Sequence, residues 1–155
     1  MRVYLGSDHA GYELKVHLAN YLAKHGYEVV DVGPHGFDPD DDYPTFCLNT
    51  GDRVVVDQGS LGVVIGGSGN GEQIAANKIQ GVRAALAWNL ETAQLAREHN
   101  DANIIAIGAR QHTLDEATAI VETFLSTPFS GNERHARRIG QVAAYEQTRE
   151  LPPLP

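Results

Sequence analysis

The chain of 155 residues has one cysteine, Cys47, so no intramolecular disulfide can form and a reducing compartment, the cytoplasm, is expected. Basic residues are scarce: 12 lysines and arginines face 20 aspartates and glutamates, for a formal net charge of −8. Nucleic acid and anionic membrane would be repelled on average, so neither is an expected partner. No apolar run approaches the roughly 20 residues that a spanning helix needs. The start, Met1-Arg2-Val3-Tyr4-Leu5-Gly6-Ser7-Asp8, has one basic residue and too short an apolar stretch for a signal peptide. Internal repeats and interdomain linkers are also missing. With 42% hydrophobic and 21% charged residues the composition is globular. Residues 1–148 are read as one domain and 149–155 as a proline-rich tail, because Leu151-Pro152-Pro153-Leu154-Pro155 cannot continue a helix.

Short β-branched runs alternate with segments of helical period, the mark of βαβ units. Strands are expected at Val3–Leu5, Glu28–Val32, Leu61–Ile65, about Val82–Ala87 and Ile104–Ile107. The third is uninterrupted apolar sequence and should be central. The first helix should turn Leu14, Val16, Leu18, Tyr21 and Leu22 inward and end at Gly26. Further helices should start near Pro44 and end by Gly59, run through Ile74–Lys78, follow Asn89 to about Glu98, and begin at the capping box Thr113-Leu114-Asp115-Glu116. A last helix is expected over Asn132 to about Thr148. The fold class is therefore α/β: a doubly wound, Rossmann-like three-layer αβα sandwich with a five-stranded parallel sheet, which binds ligands at the carboxyl ends of its strands.

The segment Gly66-Gly67-Ser68-Gly69-Asn70-Gly71-Glu72-Gln73 joins the central strand to a helix, where backbone N–H groups can cradle an anion. It is not a Walker loop, since Glu72 and Gln73 stand where lysine and a hydroxyl residue should be. The dinucleotide fingerprint fails too, because Glu72 holds the place of its third glycine. A nest of donors with a carboxylate at its edge suits an enolate-type reaction, the donors holding charge on oxygen while Glu72 takes a proton from carbon. The same spacing also fits a carboxylate that simply favours the positive end of a helix.

Other polar clusters surround this loop in the expected topology. Ser7-Asp8-His9-Ala10-Gly11 follows the first strand and reaches the same edge of the sheet, although Asp8 could equally serve as a helix cap. His99-Asn100 precedes the fifth strand and so enters at the opposite edge, within reach of the loop only from a second chain; on its position alone His99 reads as a surface histidine at a helix end. Arg134 and Arg138 share a helix face, with Arg137 nearby, and suit a phosphate, or else a solvated face paired to Glu133 or Glu146. Arg110 stands at a carboxyl end and could join them. The run Asp38-Pro39-Asp40-Asp41-Asp42 misses calcium-loop spacing and is read as a solvated loop, so no metal is assigned. Cys47 is read as a small buried hydrophobe.

Taken together, Ser7-Asp8-His9-Ala10-Gly11, Gly67-Ser68-Gly69-Asn70-Gly71, Ile74-Ala75-Ala76-Asn77-Lys78 and Arg97-Glu98-His99-Asn100 with Gly108 resemble the ribose-5-phosphate isomerase B family, which includes galactose-6-phosphate isomerase subunits. The resemblance covers nearly the whole chain. It implies interconversion of ribose 5-phosphate and ribulose 5-phosphate through an enediolate, without cofactor or metal, by a homodimer that shares its sites across the interface or by a higher homo-oligomer. It implies that His99 and Asn100 arrive from the neighbouring subunit, His99 to open the furanose ring. Arg110, Arg134, Arg138 and His9 would hold the phosphate, Asp8 would meet sugar hydroxyls or the ring oxygen, and Ser68 would assist proton movement. Backbone at Gly67, Gly69, Asn70 and Gly71 would line the substrate site. Many members carry a cysteine base where Gly66 stands, so Glu72 places the chain with a glutamate-base branch typified by mycobacterial enzymes. A six-carbon aldose 6-phosphate remains an alternative substrate, and a nucleotide-binding regulatory module is the competing reading of another class.

Overall fold

A computed structural model describes residues 1–155. Its order is β1 (Arg2–Ser7), α1 (Tyr12–Lys24), β2 (Glu28–Gly33), α2 (Tyr43–Val56), β3 (Leu61–Gly66), α3 (Asn70–Ala76), β4 (Ala84–Leu86), α4 (Leu90–Asn100), β5 (Ile104–Gly108), α5 (Leu114–Ser126) and α6 (Glu133–Thr148). The five strands are all parallel, in the order β2-β1-β3-β5-β4. The chain steps from β1 outward to β2, then returns to the other side of β1 to lay down β3. That reversal opens a crevice beyond the carboxyl ends of β1 and β3.

Alternation along the strands divides the core in two. Val3, Leu5, Val63, Ile65, Ile105 and Ile107 face a cluster shared with α1, α4 and α5, while Tyr4, Val64, Ile104 and Ala106 face one shared with α2 and α3. Every residue of β3 is buried, as its unbroken apolar run requires. Local signals agree with the expected boundaries. Gly26 (φ +86°) closes α1 in a Schellman arrangement, with Tyr27 N–H donating to the Leu22 carbonyl (3.1 Å) and Gly26 N–H to that of Ala23 (3.3 Å). Asn89 with Thr92 and Thr113 with Glu116 form the capping boxes of α4 and α5.

Three expectations need correction. Val16 is 40% exposed, and the inward position is taken instead by Lys15, which is fully buried. Its ammonium donates to Asp31 Oδ1 (2.5 Å) and to the Pro34 carbonyl (2.8 Å), so burial is tolerated because the charge is paired. Helix α3 starts at Asn70 rather than beside Ile74, whose side chain is exposed, since the left-handed Gly69 (φ +85°) turns the chain at once from loop to helix. Strand β4 is three residues long, shorter than Val82–Ala87, and its outer edge is covered at Ala84 by Asn77, whose side chain accepts from Ala84 N–H and donates to the Ala84 carbonyl, both at 2.9 Å. Residues 149–155 form no helix or strand, and α6 buries none of its residues.

Candidate active site

The loops after β1, β3 and β5 meet in a cleft of about 450 Å³ lined by Asp8, His9, Ala10, Tyr43, Gly67, Ser68, Gly71, Glu72, Arg110 and Gln111. Register explains the meeting: Ser7 pairs with Ile65 and Gly66 with Gly108, so the three loops leave the sheet at one level. Arg110 N–H donates to the Gly67 carbonyl (3.1 Å) and Ala109 N–H to that of Gly66 (2.8 Å), tying the β5 loop to the glycine loop.

Glu72 is buried in the wall of this cleft at 4% exposure. Its carboxylate folds back over Gly66 and fills the space that a β-carbon there would need, with Oε2 2.6 Å from that position. Only glycine fits at 66 while Glu72 keeps this pose. Desolvation raises the Glu72 pKa above the ordinary carboxylate range; hydrogen bonds from its own and Gly69 backbone N–H oppose this, and the nearby charge of Asp8 adds to it. A carboxylate with a raised pKa is, once ionised, a stronger base, as proton abstraction from carbon requires.

Asp8, 8% exposed, accepts from the backbone N–H of Ala10 (2.9 Å) and Gly11 (3.2 Å) through Oδ1. It thus organises the start of α1, while the same residue lines the cleft. His9 Nδ1–H donates to Asp41 Oδ1 (2.9 Å), and the same oxygen also accepts from His9 backbone N–H (2.8 Å). Ser68 Oγ accepts from the backbone and side chain of Asn70 (both 3.3 Å), holding the turn before α3. Arg110 lies over Gly67, with Nη1 3.2 Å from where a β-carbon would stand there. At Gly69 a side chain would be strained, since φ is +85° and a β-carbon would fall 3.0 Å from the Ile107 carbonyl carbon.

The remaining expected residues lie elsewhere on the chain. Asn100 and Arg138 line a separate cleft of about 420 Å³ with Gln73, Asn77 and Arg83. His99, in the last turn of α4, packs against His135 of α6 with ring centroids 4.2 Å apart and planes tilted by 39°, and His135 Nδ1 lies 2.8 Å from Ser130 Oγ. Arg134 and Arg138 are exposed on α6, and no ion pair engages either of them or Arg137. Of the surface partners considered for them, Glu146 accepts instead from Gly81 N–H (3.0 Å). One copy therefore holds the expected residues in separate places: Asp8, His9, Ser68, Glu72 and Arg110 at one cleft, Asn100 and Arg138 at another, and His99 against His135 of α6.

The acidic run is not simply a solvated loop. Asp41 has a side chain only 9% exposed, turned in under His9. Asp41, Tyr43 and Gln111 were not singled out by motif; Tyr43 opens α2 and its ring packs on Gly71, which only the fold reveals. Cys47 is buried, and desolvation raises its thiol pKa far from any nucleophilic range. The largest cleft, about 730 Å³, sits at the amino ends of the strands. Its Arg83 and Arg97 are already bound to Asp101 at 3.1 and 2.9 Å.

Residues 3–142 match the family model described as Ribose/Galactose Isomerase. The ribose-5-phosphate isomerase B of Mycobacterium tuberculosis is 59% identical over all of this chain and 96% of its own length, and that of Mycobacterium leprae is 56% identical over the same shares. Among solved structures, ribose-5-phosphate isomerase B of Clostridium thermocellum superposes with a TM-score of 0.92 at 46% identity, covering 97% of this chain and 100% of that one. The Mycoplasma genitalium enzyme, solved with ribulose 5-phosphate bound, gives 0.91 at 40% identity over 95% of this chain and 97% of its own.

Proposed function

The chain belongs to the ribose/galactose isomerase family, and from that premise we infer that it interconverts D-ribose 5-phosphate and D-ribulose 5-phosphate as an aldose–ketose isomerase. The observation that carries the mechanism is the Glu72 carboxylate, folded over Gly66 into the wall of a cleft that also holds Asp8, His9, Ser68 and Arg110. In the open-chain aldose, Glu72 takes the proton from C2 and returns it to C1. The enediolate between these steps carries its charge on oxygen, beside the backbone N–H groups of Gly67, Gly69, Asn70 and Gly71 and the Ser68 hydroxyl, which moves the proton between the two oxygens. Asp8 meets the sugar hydroxyls. The phosphate does not react; Arg110 and His9 hold it from this cleft, and Arg134 and Arg138 approach from a second copy.

The second copy also supplies His99 and Asn100, the histidine opening the furanose ring before the carbon chemistry begins. The separation of these residues within one chain supports this homodimeric arrangement, since α6 and the end of α4 stand clear of the Glu72 cleft. Absence of any helix long and apolar enough to cross a membrane, together with the single free cysteine, supports a cytoplasmic enzyme. The test is turnover of ribose 5-phosphate by the purified protein with chelator present. Sustained turnover with chelator supports the proton-transfer route, and chelator-sensitive turnover refutes it. The ratio of kcat/KM for ribose 5-phosphate to that for allose 6-phosphate or galactose 6-phosphate decides between five- and six-carbon substrates.

A further inference from the structure

Of the four acidic residues in the loop before α2, Asp41 alone is turned inward. Asp38 Oδ1 caps Asp40 N–H in an exposed turn, and Asp41 N–H donates to the Asp38 carbonyl (3.3 Å), which swings the next side chain under the sheet edge. The start of this loop is pinned by buried Lys15 on the Pro34 carbonyl, and its end by α2. One carboxylate oxygen of Asp41 takes both His9 backbone N–H and Nδ1; the other is buried with no partner. Leaving a buried carboxylate oxygen without a donor is costly, so the fold tolerates it only where the other oxygen is strongly held.

We propose that Asp41 is a positioning residue for the substrate phosphate, fixing the His9 ring with Nδ1 turned to Asp41 and Nε2 open to the ligand. A carboxylate near a phosphate would repel it unless a cation stood between them, and His9 is the group that stands between. The charged groups facing His9 are Asp41 from the loop, Asp8 from its own turn, Glu72 from α3 and Arg110 from the β5 loop. The His9 pKa is raised above the ordinary histidine value, first by the Asp41 hydrogen bond, against desolvation and with smaller help from the charge of Asp8. This deepens the assignment of His9 to the phosphate and rests on it.

The experiment compares the parent with Asp41→Asn and His9→Gln. Asparagine keeps an acceptor for the His9 N–H groups but removes the charge. Ring NMR titration, with the His9 signal assigned through His9→Gln, should show the His9 midpoint above the ordinary histidine value in the parent and lower in Asp41→Asn. The inhibition constant for inorganic phosphate, taken as variant over parent, should rise about tenfold at a pH between the two measured His9 midpoints and little at pH 5.5, as loss of a charge-assisted contact implies. KM should move more than kcat. An unchanged His9 midpoint in Asp41→Asn, or an equal loss of phosphate affinity at both pH values, overturns the proposal. If His9→Gln keeps the parent's phosphate inhibition, the phosphate role of His9 falls; if that variant weakens phosphate and Asp41→Asn does not, only the role of Asp41 falls. Should Asp41→Asn fail to fold, the parent decides: a His9 midpoint at or below the ordinary value refutes the inference.

Discussion

Replacing Glu72 by glutamine should cost activity and gain stability, a pair of opposite signs that a merely structural glutamate would not give. Glutamine has nearly the same shape and should fill the space over Gly66, but it cannot accept a proton. Loss of a general base typically lowers kcat about 10²- to 10⁴-fold, or about 2.7–5.4 kcal/mol of barrier at about 1.36 kcal/mol per decade. Solvent deuterium should cease to enter the carbon-bound positions, while inorganic phosphate still binds. The stability sign follows from linkage. Because the folded pKa of Glu72 is raised, the protonated form is the better buried one: its contribution is fully present below the ordinary carboxylate pKa and is lost as pH rises through the folded value. The parent therefore carries a destabilising buried charge at pH 8 that the variant lacks. Urea unfolding should find Glu72→Gln at least as stable as the parent at pH 8, with the advantage closing toward acid pH. The acid limb of the parent's kcat/KM should fall above the ordinary carboxylate range. Near-parental kcat in Glu72→Gln, or a stability loss at pH 8, refutes the assignment.

Gly66→Ala should lower kcat at least tenfold with an intact fold, since its β-carbon displaces the Glu72 carboxylate; unchanged kcat would show that the pose over Gly66 is irrelevant. Arg134→Ala and Arg138→Ala should each raise KM more than they lower kcat, because a phosphate that never reacts is bound in both ground and transition states; parental kcat/KM in both would make them a solvated face. Mixing inactive Glu72→Gln with inactive His99→Asn should restore partial turnover, since a mixed dimer holds one complete site; no recovery would refute a shared site. Asp31→Ala should destabilise by about 3–5 kcal/mol in urea unfolding, because it strands the fully buried Lys15 ammonium. Lys15→Met should cost less, since Asp31 is one-third exposed and keeps Gly33 N–H at 2.8 Å; the reverse order would refute this account.

Local signals made the frame legible. The apolar run Leu61–Ile65, the glycine at 26 and the two capping boxes each specify one backbone outcome with little tertiary help, and each element formed where they indicate. Pairwise burial was not legible. Position 15 reads as polar and position 16 as apolar, yet Lys15 is inside, because Asp31 from β2 and the Pro34 carbonyl arrive there through the fold. Nothing in five residues of mostly aspartate says which one turns inward; Asp41 is selected by the turn with Asp38 and by the distant partner His9. The loop glycines and Glu72 were visible as a motif, but not the reason for Gly66. That reason is steric and involves a side chain six positions later, across the turn into α3.

Charge is consistent with the proposed sharing of one site between two copies. Asp8, Asp41 and Glu72 crowd the cleft beyond β1 and β3, opposed there only by His9 and Arg110. A sugar phosphate carries nearly two negative charges at neutral pH, so this cleft by itself attracts the ester weakly. Helix α6 has the opposite excess: Arg134, Arg137 and Arg138 are exposed and unpaired in a chain of net charge −8. Its cations can bind a phosphate but include no group to take a proton from carbon. Because a raised-pKa base needs neighbours that keep it from being over-stabilised as an anion, arginines beside Glu72 in the same chain would lower its pKa and blunt it. In the proposed homodimer, bringing them from a second copy, clamped on the far end of the substrate, would supply phosphate affinity while leaving the desolvated surroundings of Glu72 intact.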